Sequence, residues 1–519
     1  MKHFLILFLS FIIFSCSSDD SSDVITETIV SASDFSITID ENPENGQVLG
    51  TIIGTTNQGG ITYVITQQEP EGALSVDPIS GELTVNNPNF FDFETNPIIT
   101  GIVKVANGSV FENSNIIITI NDLEEANVFE GTVELMTQEE VENFGANNYT
   151  HISGRLQIGL SVSPNTSIND LSSLESLTTI GESLYISSNN TLTTLNGLQN
   201  IESIGGYLRI LHNEVLTTID VFSNVQHINL DLTIYDNILL SSLAGLENII
   251  DVNYMSINGN NSLLNLEGLN SITNINEGID IGGNSSLLNL NGLSNLGPVT
   301  KSISLYNNVS LTNINALSSI TAIEGYLAIN KNPNLNNLNG LNNLTTISET
   351  LGIGENDLIT NLDPLNNLSI VNGRIGIDFN NSLANIDGLN NITSSVESIV
   401  ISRNPVLTTI SGLNNINTVT YELSIWNNDI LTNLNGLNSI TSVGSLIKIR
   451  SNSSLNNVDG LNNILYLGGK LEIRSNSILS NLCGISPLLV NNGLMGDYIV
   501  QSNAYNPSQQ DILDGNCSI

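Results

Sequence analysis

An asparagine returns at a nearly fixed interval through most of this chain, and that interval constrains the fold more than any other feature. Each copy ends a short motif of one apolar, one variable, one apolar and two variable residues, as in residues 184–189 (LYISSN). Successive copies lie 24 residues apart, with one interval of 23. The asparagines are Asn189, Asn213, Asn237, Asn260, Asn284, Asn308, Asn332, Asn356, Asn380, Asn404, Asn428, Asn452 and Asn476. Such a period indicates a solenoid of stacked turns.

The residue types within one turn predict its conformation. The two apolar residues of the motif face the same side of a short strand, so turns stacked about 4.8 Å apart pair these strands in a parallel sheet. The asparagine amide donates and accepts at once, which lets a buried column of Asn satisfy backbone groups of the turn. A glycine at the following corner is expected to be left-handed. These corner glycines are Gly197, Gly268, Gly292, Gly340, Gly388, Gly412, Gly436 and Gly460.

The rest of each turn predicts an all-β solenoid. It is rich in Asn, Thr, Ser, Ile and Val, which are not strong helix formers, so we expect short strands and turns on the convex side. Gly-Leu-x-x-Leu-x-x-Ile followed by Leu-x-Ile-x-x-Asn resembles the receptor L domain, the leucine-rich unit of growth-factor receptor ectodomains, from about Phe129 to the C-terminus. We assign residues 156–482 to this L-domain-like solenoid, which has more turns than the family usually has.

Both ends of the solenoid need a cap, because open ends expose apolar surface and strand edges. In the N-terminal cap, residues 126–155, Thr137 and Glu140 have the spacing of a capping box and predict a short helix. In the C-terminal cap, residues 483–519, the regular repeat pattern is lost between Cys483 and Cys517. In an exported protein these cysteines are expected to form a disulfide, with a free thiol or a metal pair as the alternative.

The N-terminal residues predict export and lipid attachment. A charged start precedes an apolar run over residues 4–14, which is too short to span a membrane. Residues 13–16 (IFSC) resemble a bacterial lipobox, and the SSDD behind them resembles a tag of outer-face Bacteroidetes lipoproteins. This resemblance implies a signal peptide over residues 1–15 and a lipid on Cys16 that anchors the protein in the cell outer membrane. A plain secretory signal is the alternative, and residues 16–31 should form a solvated tether.

Residues 32–125 predict a β-sandwich, because they consist of short alternating runs broken by Gly, Pro and Asn. Three fragments resemble parts of a cadherin repeat in order and spacing. They are residues 40–46 (DENPENG), 76–83 (VDPISGEL) and 91–94 (FDFE). The sequence therefore predicts two successive all-β modules, a cadherin-like β-sandwich and a β-solenoid with about 24 residues per turn.

The cadherin-like resemblance implies a calcium site made by carboxylates of the sandwich and of its closing linker. By this resemblance the ligands are Glu41, Asp92, Glu94, Asp122 and Glu124. Calcium takes six to eight oxygen ligands, which clustered carboxylates supply. The chain has TTN at residues 55–57, where the family has an Asp-x-Asp pair. The alternative is that these acids cap turns.

Charge and missing motifs exclude several functions. Lys and Arg number 12 against 51 Asp and Glu, a formal net charge of −39, so the chain repels nucleic acid. The common zinc, redox, serine-hydrolase and nucleotide motifs are missing. Asp280 and Asp378, in outward columns of the predicted sheet, lie four turns apart, about 19 Å, whereas glycoside hydrolysis needs carboxyls within about 10 Å. We therefore expect no catalytic site.

One stretch of the outward columns predicts ligand binding. Trp426, the one tryptophan, is followed one and two turns later by Arg450 and Arg474, with Lys448 and Lys470 nearby. An aromatic ring beside guanidinium groups on a flat sheet holds a sugar ring or an acidic peptide. The alternative is a solvated face with local charge balance.

Taken together, the motifs predict a surface lipoprotein for adhesion or ligand binding. Its partner is a surface protein or a glycan, and calcium is the one expected cofactor. The alternative is a polysaccharide-binding or polysaccharide-degrading β-helix protein.

Overall fold

A computed structural model describes residues 26–123, 126–160 and 167–519. The chain divides into two compact units, residues 1–125 and 126–519, and both consist mainly of strands, so the protein is all-β. No helix within the described ranges has the length and apolarity needed to cross a bilayer. Cys16 and Glu124, two of the predicted site residues, lie outside the described residues.

The first unit is a β-sandwich. Its strands are Val30–Ala32, Phe35–Asp40, Val48–Thr51, Gly54–Thr56, Thr62–Glu69, Leu74–Val76, Glu82–Val85, Ile98–Asn107 and Val110–Asn121. The second, ninth, eighth and fifth form one sheet, the third, seventh and sixth form another, and the first pairs with the fourth. Inward residues of the sheets, such as Leu83 and Ile118, are buried. The sandwich begins at Val30, inside the predicted tether, because Val30 packs in this core.

The second unit is the predicted solenoid. Among the described residues its long sheet has eighteen strands: Val133–Leu135, Leu156–Gly159, Leu184–Ser187, Leu208–Leu211, Leu232–Tyr235, Asp251–Asn258, Asn274–Gly282, Ile303–Tyr306, Leu327–Asn330, Leu351–Gly354, Arg374–Asp378, Val396–Ser402, Thr418–Trp426, Ser442–Val443, Leu446–Arg450, Tyr466–Leu467, Lys470–Arg474 and Tyr498–Gln501. The repeated strands pair in parallel and in register, so Leu327 and Ile329 lie opposite Leu351 and Ile353. The sheet begins within the segment assigned to the N-terminal cap, because Val133–Leu135 already pairs with the first predicted turn.

The other sides of the turns contain short strands and 3₁₀ helices. Two-residue strands form two further parallel sheets: Val128–Phe129, His151–Ile152, Thr179–Ile180 and Ser203–Ile204, then Val299–Thr300, Ala322–Ile323, Thr346–Ile347 and Ile370–Val371. The 3₁₀ helices of this unit are Ser172–Leu174, Asp220–Asn224, Asn315–Leu317, Asp363–Leu365, Asp387–Leu389, Ser411–Leu413, Asn435–Leu437, Asp459–Leu461 and Cys483–Ile485. Several begin in an Asx turn, as where Asp363 donates its backbone N–H to Asn361 Oδ1 at 3.0 Å. The sequence predicted the strands and turns but not the 3₁₀ helices.

The repeated asparagines form a buried hydrogen-bonded ladder, as predicted. Asn332 is fully buried, and its Nδ2 donates to the carbonyl oxygen of Leu305 on the preceding turn at 3.0 Å. Its Oδ1 accepts the backbone N–H of Asn308 at 3.1 Å. The same pattern repeats from turn to turn and extends to Asn503, whose N–H donates to Asn506 Oδ1 at 2.8 Å. Each asparagine therefore joins two turns through groups that would otherwise be buried without partners.

The conformational role predicted for the corner glycines is correct for half of them. Four have positive φ: Gly197, Gly268, Gly292 and Gly340. The prediction is wrong for the other four, which are Gly388, Gly412, Gly436 and Gly460. A Cβ on any of the eight would overlap a backbone carbonyl oxygen of the preceding turn, so close stacking selects glycine at both kinds of corner. Val221, Ala316 and Pro364 occupy this corner elsewhere, so the stacking can adjust.

The recurring left-handed position is instead the residue before each ladder asparagine. Lys331 and Arg403, for example, have φ values of 60° and 54°. This conformation costs a residue with a Cβ about 1–2 kcal/mol. The hydrogen bonds of the following asparagine hold the chain in it. Exposed side chains of many types therefore follow one edge of the long sheet.

Both ends of the solenoid carry helices. The predicted N-terminal helix runs over Gln138–Gly145, and Thr137 and Glu140 exchange the hydrogen bonds of a capping box. At the C-terminal end a disulfide joins Cys483 to Cys517. This end also contains the helices Ser486–Val490 and Gln509–Leu513.

Candidate ligand-binding face of the solenoid

Four rows of outward side chains cross the long sheet. Each turn contributes one residue to each row, and the positions are counted from its Leu-x-Ile pair. The first-row residue directly precedes the Leu position, the second-row residue lies between the two apolar residues, and the third-row residue directly follows the Ile position. The fourth-row residue is the left-handed residue before the ladder asparagine. In one turn these residues are Ser398, Val400, Ser402 and Arg403. Strand pairing fixes the rows, because it places each residue opposite its counterpart about 4.8 Å away on the next turn.

The basic residues of the solenoid are concentrated in these rows. Residues 126–519 contain ten Lys and Arg residues, and nine of them occupy the four rows. The nine are Arg155, Arg209, Lys331, Arg374, Arg403, Lys448, Arg450, Lys470 and Arg474, and Lys301 is the tenth. A chain of net charge −39 thus places nearly all cations of this unit on one face.

Arg403 is the centre of an aromatic and cationic stack. Its guanidinium carbon lies 4.4 Å from the centroid of the Phe379 ring and 4.1 Å from that of Trp426. Lys448 Nζ lies 5.1 Å from the Trp426 centroid. Arg450 follows Trp426 directly in the third row. We call the outward residues between Arg374 and Arg474 the arginine section.

The predicted residue Arg474 is engaged by a neighbouring carboxylate. Glu472 Oε1 lies 2.7 Å from Arg474 Nε, and Glu472 Oε2 lies 2.7 Å from Lys470 Nζ. Burial acts to raise the pKa of Glu472, but the hydrogen bond and charge of Lys470 and the charges of Arg474 and Lys448 outweigh it and lower that pKa. The far end of the arginine section is therefore partly neutralised, and its binding potential is concentrated near Trp426.

Asp378 is the acidic residue at the Arg374 end of the arginine section. Burial raises the pKa of its carboxyl, while the charges of Arg374 and Arg403 act in the opposite direction and that of Glu355 adds to the rise. Counting the four rows, the arginine section has six basic residues and three acidic ones, Asp378, Glu422 and Glu472, so its net charge is 6 − 3 = +3.

Sequence reasoning missed two members of this stack, Phe379 and Arg403. Both belong to the fourth row, whereas only the second and third rows were compared between turns. The available signal was the repeated position before each ladder asparagine, which contains Gly, Asn or Asp in several turns. Those residue types tolerate a left-handed backbone and mark such a position.

A depression of about 410 Å³ adjoins the stack at Phe379. Its lining includes Lys331, Glu355 and Asp357, and Lys331 Nζ lies 3.8 Å from Glu355 Oε1. Ligand sites commonly have volumes of about 300–1,000 Å³ and combine an aromatic wall with a few polar groups. The depression therefore extends the candidate binding surface beyond the four rows.

The sandwich brings three of the predicted calcium ligands together. Each of Glu41, Asp92 and Glu94 offers a carboxylate oxygen within 4.8 Å of the others. Glu41 is buried, and it accepts backbone N–H groups from Phe93 at 2.9 Å and Leu123 at 2.6 Å. These bonds hold the carboxylate in place and leave oxygen lone pairs available to an ion.

The donor set suits a divalent cation only in part. Lys104 is the one basic residue among residues 26–123, and its Nζ lies over the Phe111 ring, so no protein cation balances the three carboxylates in this described range. Asp122 is exposed and does not belong to the group, contrary to expectation. Asn57, which stands where the cadherin-like resemblance implies an acid, instead binds the backbone of Glu27 and Ile29.

Comparison with known proteins identifies counterparts of both modules. Residues 302–390 and 321–409 match the Receptor L domain family, a stretch that includes Phe379 and Arg403. Protocadherin-16 of Rattus norvegicus is 33% identical over 66 residues, which are 13% of this chain and 2% of that protein.

Solved cadherin-containing structures are also similar to part of the chain. Extracellular cadherin domains 3–6 of protocadherin gamma B2 show 24% identity and a TM-score of 0.17, over 19% of this chain and 23% of that one. The human desmocollin-1 ectodomain shows 23% identity and a TM-score of 0.16, over 20% of this chain and 23% of that one. The chain thus spans less than a quarter of either structure.

Proposed function

We propose that this chain is a lipid-anchored protein of the bacterial outer membrane that binds an anionic ligand through the arginine section of its solenoid. The observation that carries the proposal is the stack of Arg403 between Phe379 and Trp426, with Lys448 over the same indole ring. Guanidinium groups held against aromatic rings present fixed donors to carboxylate, sulfate or phosphate groups, and the rings contribute stacking area. Adhesion to a surface glycan or to an acidic protein segment uses this chemistry.

Charge supports an anionic ligand over a neutral one. The arginine section is net positive in a chain of net charge −39, so an anion experiences a local attraction that the rest of the molecule opposes. The polysaccharide alternative remains within the proposal, because acidic polysaccharides carry the same groups. Cleavage of a polysaccharide by the purified protein would instead indicate the degrading enzyme.

The test is an array of acidic and neutral glycans and of acidic proteins, probed with the parent and with the double variant Arg403→Ala, Trp426→Ala. We expect the parent to bind at least one acidic ligand and the variant to bind it about tenfold or more weakly, because a charge-assisted contact and a stacking surface are both lost. Arg155→Ala, a change in the same rows far from the section, is the matched control. Equal binding by parent and double variant would contradict the proposal.

The membrane anchor has its own test. Replacement of Cys16 by Ser removes the thiol that a lipid would modify, so we expect the protein to move from the membrane fraction to the soluble fraction. Membrane association that persists unchanged in Cys16→Ser would contradict lipid attachment at this residue.

Calcium binding by the sandwich is a second proposal, favoured by the convergence of Glu41, Asp92 and Glu94. A bound cation would offset repulsion among these carboxylates, so 2 mM calcium, about 20 times a dissociation constant of about 100 μM that is typical of extracellular modules, would stabilise the unit by about 1.8 kcal/mol. Calorimetry should therefore show a higher melting temperature of this unit with calcium. Asp92→Asn should reduce the shift, whereas Asp34→Asn, elsewhere in the unit, should not. An unchanged melting temperature in the parent would contradict the site.

A further inference from the structure

A second group of outward side chains precedes the arginine section in the sequence and has the opposite charge. This group consists of Asp280, in the second row, and four tyrosines on the neighbouring turns. Tyr254 lies one turn before Asp280 and Tyr306 one turn after it, each in a diagonal position. Tyr235 lies two turns before Asp280 and Tyr326 two turns after it. At about 4.8 Å per turn and 3.3 Å per residue, the nearer tyrosines have their Cα atoms about 8 Å from that of Asp280. We call these five residues the tyrosine section.

Glycines keep the surface around Asp280 open. Gly278 and Gly282 occupy the first and third rows of the strand that carries Asp280, so no side chain borders the carboxylate within its own strand. The Tyr306 ring lies over Gly282, where a Cβ would overlap the ring atoms. The Tyr306 ring therefore lies across the strand that contains Asp280.

The carboxylate of Asp280 is positioned but not neutralised. Asn258 Nδ2 donates to Asp280 Oδ2 at 3.1 Å and to Ser256 Oγ at 2.7 Å. Across the described strands of this section, the four rows contain no Lys, Arg or His from Asp231 to Asn330. The basic side chains at its two borders have other acidic partners: Lys331 Nζ lies 3.8 Å from Glu355, and His212 Nδ1 lies 3.4 Å from Asp236. The nearest basic residue in sequence, Lys301, forms an ion pair with Glu277 at 2.7 Å.

The tyrosines lie in the field of this carboxylate. Burial raises the pKa of Tyr254 to about 12, and the charge of Asp280 contributes to the rise. Burial and then the charge of Asp280 also raise the pKa of Tyr306. The hydroxyls of Tyr254 and Tyr306 therefore stay protonated and their rings stay neutral, so Asp280 supplies the negative charge among these five residues, while Asp231 contributes less at Tyr254 and Asp236 less at Tyr306.

We infer that the tyrosine section is a binding site for an organic cation of the alkylammonium type. Aromatic ring faces attract a desolvated cation, and the Asp280 carboxylate beside them supplies the opposite charge. A hard metal ion is disfavoured, because it needs six or more oxygen ligands and, among the described residues, Asp280 forms no metal-ligand group with Asp231 and Asp236, the other carboxylates that act on these tyrosines. The ammonium group can come from a lysine side chain or from a free amine. This site goes beyond the proposed function, since its ligand has the opposite charge.

The test uses the purified full chain and two probes, N-acetyl-lysine methylamide and spermidine, titrated by calorimetry at 150 mM salt. We expect Asp280→Asn to weaken binding about tenfold and Tyr306→Leu about fivefold, whereas Tyr306→Phe, which keeps the ring, should stay within about twofold of the parent. Tighter binding of the lysine amide identifies a lysine side chain as the source, and tighter binding of spermidine identifies a free polyamine. Both outcomes support the inference.

Asp363→Asn is the matched control, because it removes the same charge from an exposed part of the solenoid outside the four rows. Equal weakening by Asp280→Asn and Asp363→Asn would show that the probes follow the overall negative charge, and it would overturn the inference. No binding by the parent at 10 mM probe, or equal loss in Tyr306→Phe and Tyr306→Leu, would overturn it as well. Unchanged melting temperatures of the variants establish that the solenoid remains folded in each comparison.

Discussion

Replacement of Asn332 by Ala is expected to lower the free energy of unfolding by about 4 kcal/mol. The side chain is fully buried in the middle of the ladder, and its loss leaves the carbonyl oxygen of Leu305 and the N–H of Asn308 without their partner. A buried backbone group without a hydrogen bond costs about 1–3 kcal/mol, and two such groups account for the estimate. Urea unfolding followed by circular dichroism measures the change.

Asn330→Ala provides the control for this prediction, because Asn330 lies in the same turn, at the end of the strand that precedes Asn332, but belongs to the outward third row. We expect this change to alter the free energy of unfolding by less than about 1 kcal/mol. Comparable losses in Asn330→Ala and Asn332→Ala would contradict a specific role of the ladder. Because each turn contacts its neighbours, the break should also separate the unfolding of the two halves of the solenoid.

Loss of the disulfide should be about as damaging. The bond between Cys483 and Cys517 closes a sequence separation of 34 residues, for which chain entropy predicts about 4 kcal/mol of stabilisation. It also holds the C-terminal end against the last turns, where Leu482 N–H donates to the Cys517 carbonyl oxygen at 2.9 Å. We therefore expect Cys483→Ser, Cys517→Ser to unfold at lower urea than the parent.

Hydrogen exchange locates the effect of the disulfide. Amides of residues 498–519 should lose protection first in the double variant, because those residues cover the open end of the sheet. A reducing agent should destabilise the parent by the same amount and leave the double variant unchanged. Equal stability of parent and double variant would contradict the role assigned to this bond.

The interior of the solenoid could be predicted from the sequence because the pattern and the packing have the same period. Each Leu-x-Ile pair and each asparagine recurs at an interval that places it against the equivalent residues of the next turn, so the conformation of one turn predicts that of the next. Conformations that several residue types share were harder to predict. The left-handed position is an example, since Lys331, Phe379 and Arg403 all adopt it under the constraint of the next asparagine.

The candidate site was only partly predictable, because it depends on contacts between rows. Trp426 and Lys448 lie together as neighbouring turns imply, but Arg403 reaches Trp426 from the fourth row. The partial neutralisation of Arg474 also depends on a side-chain contact, the ion pair with Glu472. In the sandwich, the motif resemblance implied that Glu41, Asp92, Glu94 and Asp122 share one site, but the structure brings together only the first three, because Asp122 follows the last strand and is exposed.

The intrinsic fluorescence of Trp426 tests the central claim most directly, because this is the one tryptophan of the chain and it lies in the arginine section. Titration with an acidic ligand selected by the array should shift or quench the emission, with the same midpoint as calorimetric binding. The change should disappear in Arg403→Ala together with the tight binding. Saturating binding by calorimetry with unchanged Trp426 emission would place the ligand elsewhere and contradict the account.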